Sequence, residues 1–160
     1  MSFLFKNAIW VGALVAIAAL GAVFIFQYGF DLKPCVLCIY QRWPYAVAIA
    51  IGALYLILRG RVNGIIVRLL MAASFAVTGG IAAFHVGVEQ KWWKGTAECS
   101  ADTSAGMTMD QLREQLLSAP LVKCDEVAWE MFGISMAGYN LILAIVMCLF
   151  MLLSVSHARR

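Results

Sequence analysis

The stretch Pro34-Cys35-Val36-Leu37-Cys38-Ile39-Tyr40-Gln41-Arg42-Trp43-Pro44 places a Cys-x-x-Cys pair at the edge of a long apolar segment, with an arginine four residues after the second cysteine. Thiols at that spacing can close a small, reactive disulfide ring. The attacking thiolate is favoured by a nearby cation and by a helix N-terminus. An arginine is costly to place beside apolar chain, which makes Arg42 a functional candidate. The combination reads as a redox centre at a membrane surface.

The chain around this stretch has 160 residues, of which 63% are hydrophobic and 13% charged, with a mean hydropathy of +0.85. A soluble domain carries about 25% charged residues. The composition therefore puts the core in lipid, and the length suits one integral membrane domain over 1–160. The net charge of +3 matters less than its distribution: of the nine acidic residues, all except Asp31 lie between Glu89 and Glu130. That asymmetry speaks for membrane topology and against a nucleic-acid surface.

Upstream, an uncharged run from Ala8 to Phe26 follows Lys6 and is long enough to cross a hydrocarbon core of about 30 Å as a helix. A cleaved signal peptide would have a shorter apolar region ending in a small-x-small site. Here the run ends in Phe24-Ile25-Phe26, and Gly12, Ala16, Ala19 and Gly21 lie inside it as helix-packing positions. A retained first span over about 8–26 is expected. Downstream, a second span over about 40–58 keeps Pro44 in its first turn or at a kink. If that helix starts by Cys38, then Cys38 and Arg42 lie one turn apart on one face. A third span covers about 65–88, with Ala76, Gly79, Gly80 and Ala83 as a small-residue packing surface. A fourth covers about 134–155. The polar connection over about 89–133 is too long for a simple link. Within it, Thr108-Met109-Asp110-Gln111 matches a capping box, and Met109, Leu112 and Leu116 share a face, so a short amphipathic helix is expected.

The fold class expected is thus all-α, a four-helix transmembrane bundle with a long loop between spans three and four. Lys6, the Arg59/Arg61/Arg68 turn and the Arg159/Arg160 tail fall on one side, and the positive-inside rule makes both termini cytoplasmic. Segments 27–39 and 89–133 then face outward, which in a bacterial inner membrane is the periplasm, where disulfides persist.

Four of the five cysteines, Cys35, Cys38, Cys99 and Cys124, map to that outer side, while Cys148 lies inside span four as a buried thiol. Four cysteines allow three pairings. Proximity favours Cys35 with Cys38, leaving Cys99 with Cys124, and a bridge closing that second loop is worth about 3.5 kcal/mol in the chain-entropy model. The second pair can equally be a structural staple. A four-cysteine zinc site would present two short-spaced pairs, which Cys99 and Cys124 do not form. Haem attachment would need histidine where Ile39 stands. No metal is expected. His85, near the outer end of span three, either bonds across helices or joins the redox site. Trp43, Tyr45, Trp92, Trp93 and Trp129 fit a membrane aromatic belt.

The chain resembles the DsbB family of bacterial inner-membrane disulfide bond formation proteins. The likeness rests on four spans, the Pro-Cys-x-x-Cys-x-x-x-Arg element before span two, two loop cysteines, and the stretch from Cys124 through Trp129 to Gly133, Tyr139 and Asn140 leading into span four. The resemblance implies a thiol:quinone oxidoreductase that reoxidises a periplasmic thioredoxin-fold thiol oxidase, DsbA, and passes two electrons to a membrane quinone, ubiquinone or menaquinone. It implies that Cys99–Cys124 is the shuttle disulfide, that Cys99 holds the mixed disulfide, and that Cys124 exchanges with Cys35. Cys38 would be the thiolate facing the quinone, with Arg42 beside it and His85 nearby.

Energetics agree with the need for such a sink. DsbA is poised near −120 mV and ordinary structural disulfides below about −300 mV, a gap of about 180 mV or about 8 kcal/mol for two electrons. A cation and a helix N-terminus beside Cys38 would raise the potential by stabilising its thiolate. The rival readings are a reductase of the vitamin K epoxide reductase type, a thiol-lined metal carrier, and a membrane protein whose disulfides only brace its loop. Electron flow to quinone, and its direction, separates them.

Overall fold

In the computed structural model, which describes residues 2–58, 61–96, 99 and 123–158, four long helices form the bundle. A short α1, Ser2–Lys6, leads into α2, Ala8–Gly29; α3 is Val36–Ile57 and α4 is Gly64–Glu89. A two-stranded hairpin, β1 Glu130–Met131 and β2 Ile134–Ser135, then precedes α5, Met136–Ala158. Helices α2 to α5 are each long and apolar enough to cross a membrane. Their outward faces carry Leu14, Ile25, Ile57 and Leu153, all more than half exposed. Such faces suit lipid, not water. The amphipathic helix expected from Thr108, the basic residue Arg59 and the Arg159/Arg160 tail lie outside the described residues.

The helix ends follow from local chemistry. The α2 helix stops where Asp31 takes a left-handed φ of 53°, with the Phe30 and Leu32 amides both returning to the Phe26 carbonyl. Aspartate tolerates that conformation better than most residues. At α4, the Asn63 side chain caps by accepting from the Ile65 amide at 2.9 Å. The α3 helix begins at Val36, earlier than the expected boundary near 40, because Cys35 is its N-cap. Cys38 is therefore inside the first turn and Pro44 lies deeper within the helix, where its ring forfeits one backbone bond. The fourth span starts later than expected. Ile134 and Ser135 are strand, and Ser135 Oγ accepts from the Gly138 amide at 3.1 Å, opening α5. The hairpin turns through Phe132 (φ 53°) and Gly133 (φ 74°), the double positive φ that a two-residue turn of this hand requires.

Packing runs α2 on α3, α3 on α4 and α4 on α5. One core cluster, with Ile9, Met71, Phe75 and Met151, fills the half of the bundle that holds the N-terminus. A second is built of Cys35, Leu37, Val88, Cys99 and Cys124 at the other end. Only part of the expected small-residue surfaces packs. A Cβ at Gly79 would lie 3.2 Å from Ala144, whereas Ala76, Gly80 and Ala83 are exposed. Gly12 and Ala16 are buried, but Gly21 faces open space. Tyr45, assigned by the sequence to an aromatic belt, is instead in the core at 4% exposure.

Gly52 marks the closest α2–α3 approach: a Cβ there would sit 2.8 Å from Ala13 Cβ, which has no flexible end to move away. Gly52→Val is expected to destabilise the bundle by about 1–3 kcal/mol through overpacking. Thermal unfolding in detergent, compared with Gly80→Val at an open position, reads this out. Equal midpoints for the two variants would contradict it.

Candidate functional site

The N-terminus of α3 brings the two first cysteines together. Cys35 has extended backbone (φ −76°, ψ 171°), and its Sγ accepts from the Cys38 amide at 3.2 Å. The two sulfurs are 2.7 Å apart and share a hydrogen bond. His85, one turn from the end of α4, sets its Nε2 3.5 Å from Cys35 Sγ and 3.8 Å from Glu89 Oε1. Its ring is also within reach of the Cys124 backbone. The Cys35 thiol is pushed down to about 5, chiefly by its hydrogen bond with the Cys38 thiol, with His85 and the Cys38 amide adding to this against the opposing effect of burial. The cap donor expected to serve Cys38 thus falls on Cys35.

Cys99 and Cys124 are joined by a disulfide, which selects one of the three possible pairings. Both sulfurs are buried, and they pack with Cys35, Leu37 and Val88 in one cluster, with Cys38 against its edge. Cys35, Cys38, Cys99 and Cys124 therefore meet at one end of the bundle. Cys148 is half-buried and packs against the other core cluster, away from this site.

Cys38 has a second face. With Arg42, Gln41, Tyr45, Trp129 and Asn140 it lines a cavity of about 290 Å³ between α2, α3 and α5. The walls are mostly apolar. Arg42 donates from Nη1 to Gln27 Oε1 at 2.6 Å and lies 5.4 Å from the Phe24 ring centroid, while its buried Nε has no hydrogen-bond partner among the described residues. Trp129, expected in the aromatic belt, is a cavity wall, in ring contact with Phe26 and Tyr139. Trp43 and Trp92 are exposed as a belt requires. His85 is absent from this cavity. It lines a smaller adjoining cleft of about 50 Å³ that shares Cys38 and Arg42 with the first.

Sequence reasoning missed the buried polar chain behind His85. The His85 Nδ1 is 3.0 Å from Gln41 Nε2, Gln41 Oε1 accepts from Asn140 Nδ2 at 2.8 Å, and Asn140 Oδ1 accepts from the Tyr45 hydroxyl. Thr78 Oγ1 lies 3.3 Å from Asn140 Nδ2 and donates to the Gln41 carbonyl at 3.0 Å. Polar side chains at membrane depth in Gln41, Thr78 and Asn140 were the available signal. As for metals, Cys35, Cys38 and His85 offer three ligand atoms within 4.8 Å of one another. Tetrahedral zinc holds its sulfurs about 3.8 Å apart, from bonds of about 2.3 Å. The sulfurs here are closer, the arrangement of a dithiol couple.

A family model, DsbB, described as disulfide bond formation protein DsbB, matches residues 5–154. Over 139 residues the chain is 30% identical to an uncharacterized protein of Rickettsia prowazekii, covering 86% of this chain and 80% of that protein. It is 28% identical to the disulfide bond formation protein B of Methylobacillus flagellatus, over 96% of this chain and 95% of the other. With the protein of that name from Pasteurella multocida the identity is 29%, over 97% and 89%.

Proposed function

The chain belongs to the DsbB family of disulfide bond formation membrane proteins, and from that premise we propose that it is a thiol:quinone oxidoreductase that reoxidises a DsbA-like thioredoxin-fold partner. The observation that carries the reading is the sulfur cluster: a loop disulfide packed against Cys35, with Cys38 bordering both that cluster and the Arg42 cavity.

The relay balances as successive thiol–disulfide exchanges. A thiolate of the reduced partner attacks Cys99 Sγ, the Cys99–Cys124 bond breaks, and its electron pair leaves on Cys124. The Cys124 thiolate attacks Cys35 Sγ in a Cys35–Cys38 disulfide, leaving the pair on Cys38. The partner's second thiolate attacks its own bridged sulfur, so the partner departs oxidised and Cys99 becomes a thiolate. Cys99 then attacks Cys124, restoring the loop disulfide and leaving Cys35 and Cys38 reduced. While Cys35 is bridged to Cys124, Cys38 stands alone with its charge toward Arg42. Once Cys35 is released, the α3 N-terminus and His85 favour the thiolate on Cys35.

The residues around the cavity fit a quinone. Its volume lies at the lower end of the range for ligand pockets, about 300–1,000 Å³, which is room for one substituted ring between apolar walls. The Arg42 guanidinium, whose Nε has no partner among the described residues, offers charged donors for a carbonyl oxygen at the cavity wall, and Cys38 is the sulfur on the same wall. A quinone bound there supplies the acceptor for two electrons and two protons, returning the Cys35–Cys38 couple to its disulfide.

The deciding experiment is quinone reduction by the purified protein with a reduced thioredoxin-fold partner. Turnover in that direction supports the oxidase. Turnover only from quinol toward an oxidised partner would mean a reductase of the vitamin K epoxide reductase type. No electron flow would leave a disulfide-braced protein. Sidedness is a separate expectation: in spheroplasts of a bacterium carrying the chain in its inner membrane, a membrane-impermeant thiol reagent added after reduction should label Cys99 and Cys124. Labelling only after the membrane is opened would invert the topology and put both termini in the periplasm.

A further inference from the structure

One arrangement of protons satisfies the hydrogen bonds of the buried polar chain behind His85, with the Tyr45 hydroxyl donating to Asn140 Oδ1. Thr78 Oγ1 faces the Gln41 backbone carbonyl at 3.0 Å, and a carbonyl only accepts, so the Thr78 proton is committed there. Toward Asn140, Thr78 Oγ1 can then only accept, so the Asn140 atom 3.3 Å away is the amide nitrogen. That nitrogen also meets Gln41 at 2.8 Å, so the Gln41 atom there is Oε1. Gln41 must then turn its NH2 to His85 Nδ1 at 3.0 Å, and Nδ1 must accept. The ring proton is left on Nε2, which faces Cys35 Sγ and Glu89 Oε1. Thr78, Gln41 and His85 are 0%, 7% and 3% exposed, while Asn140 is half-buried at the cavity wall.

We propose that the Thr78–Asn140–Gln41 chain locks His85 as its neutral Nε2–H tautomer and aims that proton at Cys35, making Thr78, Asn140 and Gln41 positioning residues for the Cys35 thiolate. His85 then acts on Cys35 as a fixed hydrogen-bond donor at the dithiol. The other titratable or charged groups around the Cys35 cleft are Cys38, Arg42, Lys33, Glu89 and Glu126. None of them touches Nδ1, so none substitutes for the Gln41 contact. The inference deepens the proposed reaction, since it assumes that Cys35 and Cys38 form a redox couple, but its test needs neither quinone nor partner.

The chain has two histidines, His85 and His157. In a His157→Asn background, labelling histidine with 15N therefore isolates His85. In the reduced, quinone-free protein, nitrogen NMR at neutral pH is expected to show Nε2 protonated and Nδ1 bare. Thr78→Val, which keeps shape but loses the hydroxyl, frees the two amides to turn over and should give both tautomers. Thr78→Ser keeps the hydroxyl and should restore the single form. Alkylation of Cys35 by iodoacetamide at pH 6, read by peptide mass spectrometry, should fall about twofold in His85→Leu, since a rise of about one unit from about 5 leaves about half of Cys35 as thiolate at that pH. It should fall by about a quarter in Thr78→Val, where about half the molecules lose the donor, and should be unchanged in Thr78→Ser. A His85 ring protonated on Nδ1 or on both nitrogens would overturn the proposal, and this measurement requires no substitution within the polar chain. A single unaltered tautomer in Thr78→Val would overturn the positioning role. If the protein fails to reduce quinone while His85 carries its proton on Nε2, the reaction falls and the lock stands.

Discussion

Replacing Cys99 or Cys124 by serine is expected to cut oxidation of a reduced thioredoxin-fold partner by about 10³-fold or more, while quinone still maintains a disulfide between Cys35 and Cys38. In the proposed relay the loop sulfurs form the covalent intermediates, and removing a covalent participant removes the whole path. The second half of the outcome separates a relay from a staple. Cys99 and Cys124 share the buried cluster with Cys35, so a bracing role would predict a general loss of order affecting both couples. In a relay, the inner couple stays competent toward quinone because Cys38 and Arg42 border their own cavity. The measurement is partner oxidation followed beside the redox state of Cys35 and Cys38, resolved by alkylation and mass. Continued partner oxidation in either serine variant would reduce the loop pair to a staple and end the relay.

The second large effect is expected at Arg42. Its Nη1 is held by Gln27 Oε1 and its guanidinium lies over Phe24 at the wall of a mostly apolar cavity, while its buried Nε has no partner among the described residues. A charge-assisted hydrogen bond of that kind is worth about 1.5–3 kcal/mol. Arg42→Ala should therefore raise the apparent quinone KM by about 10- to 100-fold. Lysine keeps the charge but not the planar fork, so Arg42→Lys should fall between. Gln27→Ala, which frees the guanidinium without removing it, should raise KM less than Arg42→Ala does. Turnover against quinone concentration for the four proteins decides the matter. An unchanged KM and turnover in Arg42→Ala would make Arg42 an interfacial anchor and leave the cavity without a quinone.

Much of this architecture is legible in linear order, because a bilayer imposes one-dimensional rules. About twenty apolar residues are needed to cross it, so the four spans stand out as runs. Charged side chains are rare in those runs, with Arg42 and Arg68 the exceptions, so the acidic block from Glu89 to Glu130 and the basic turns separate cleanly. The Cys-x-x-Cys-x-x-x-Arg element is local as well: one helical turn fixes the Cys38–Arg42 relation once the helix start is known. The helix starts at Val36, a few residues before the span boundary expected near 40, because Cys35 is its N-cap and cysteine is not a usual one. The start of α5 was misplaced for a similar reason, as the strand Ile134–Ser135 is apolar enough to read as helix.

By itself, the sequence determined that this chain is a four-span membrane protein with a dithiol at the mouth of its second span, because hydropathy and i,i+3 spacing act along the chain. Only the tertiary structure decided which cysteines pair and which face of a helix packs. The Cys99–Cys124 bond and its contact with Cys35 depend on how α4 and α5 meet α3, and Gly79 packs while Gly80 does not because the register against Ala144 chooses between neighbours. The proton arrangement at His85 is equally a tertiary property. Residues 41, 78, 85 and 140 come from three helices, and each is hydrogen-bonded only because the others are there. A buried donor or acceptor without a partner costs about 1–3 kcal/mol, so in the absence of water such groups must satisfy one another. That constraint acts through space and leaves no period or spacing in the sequence.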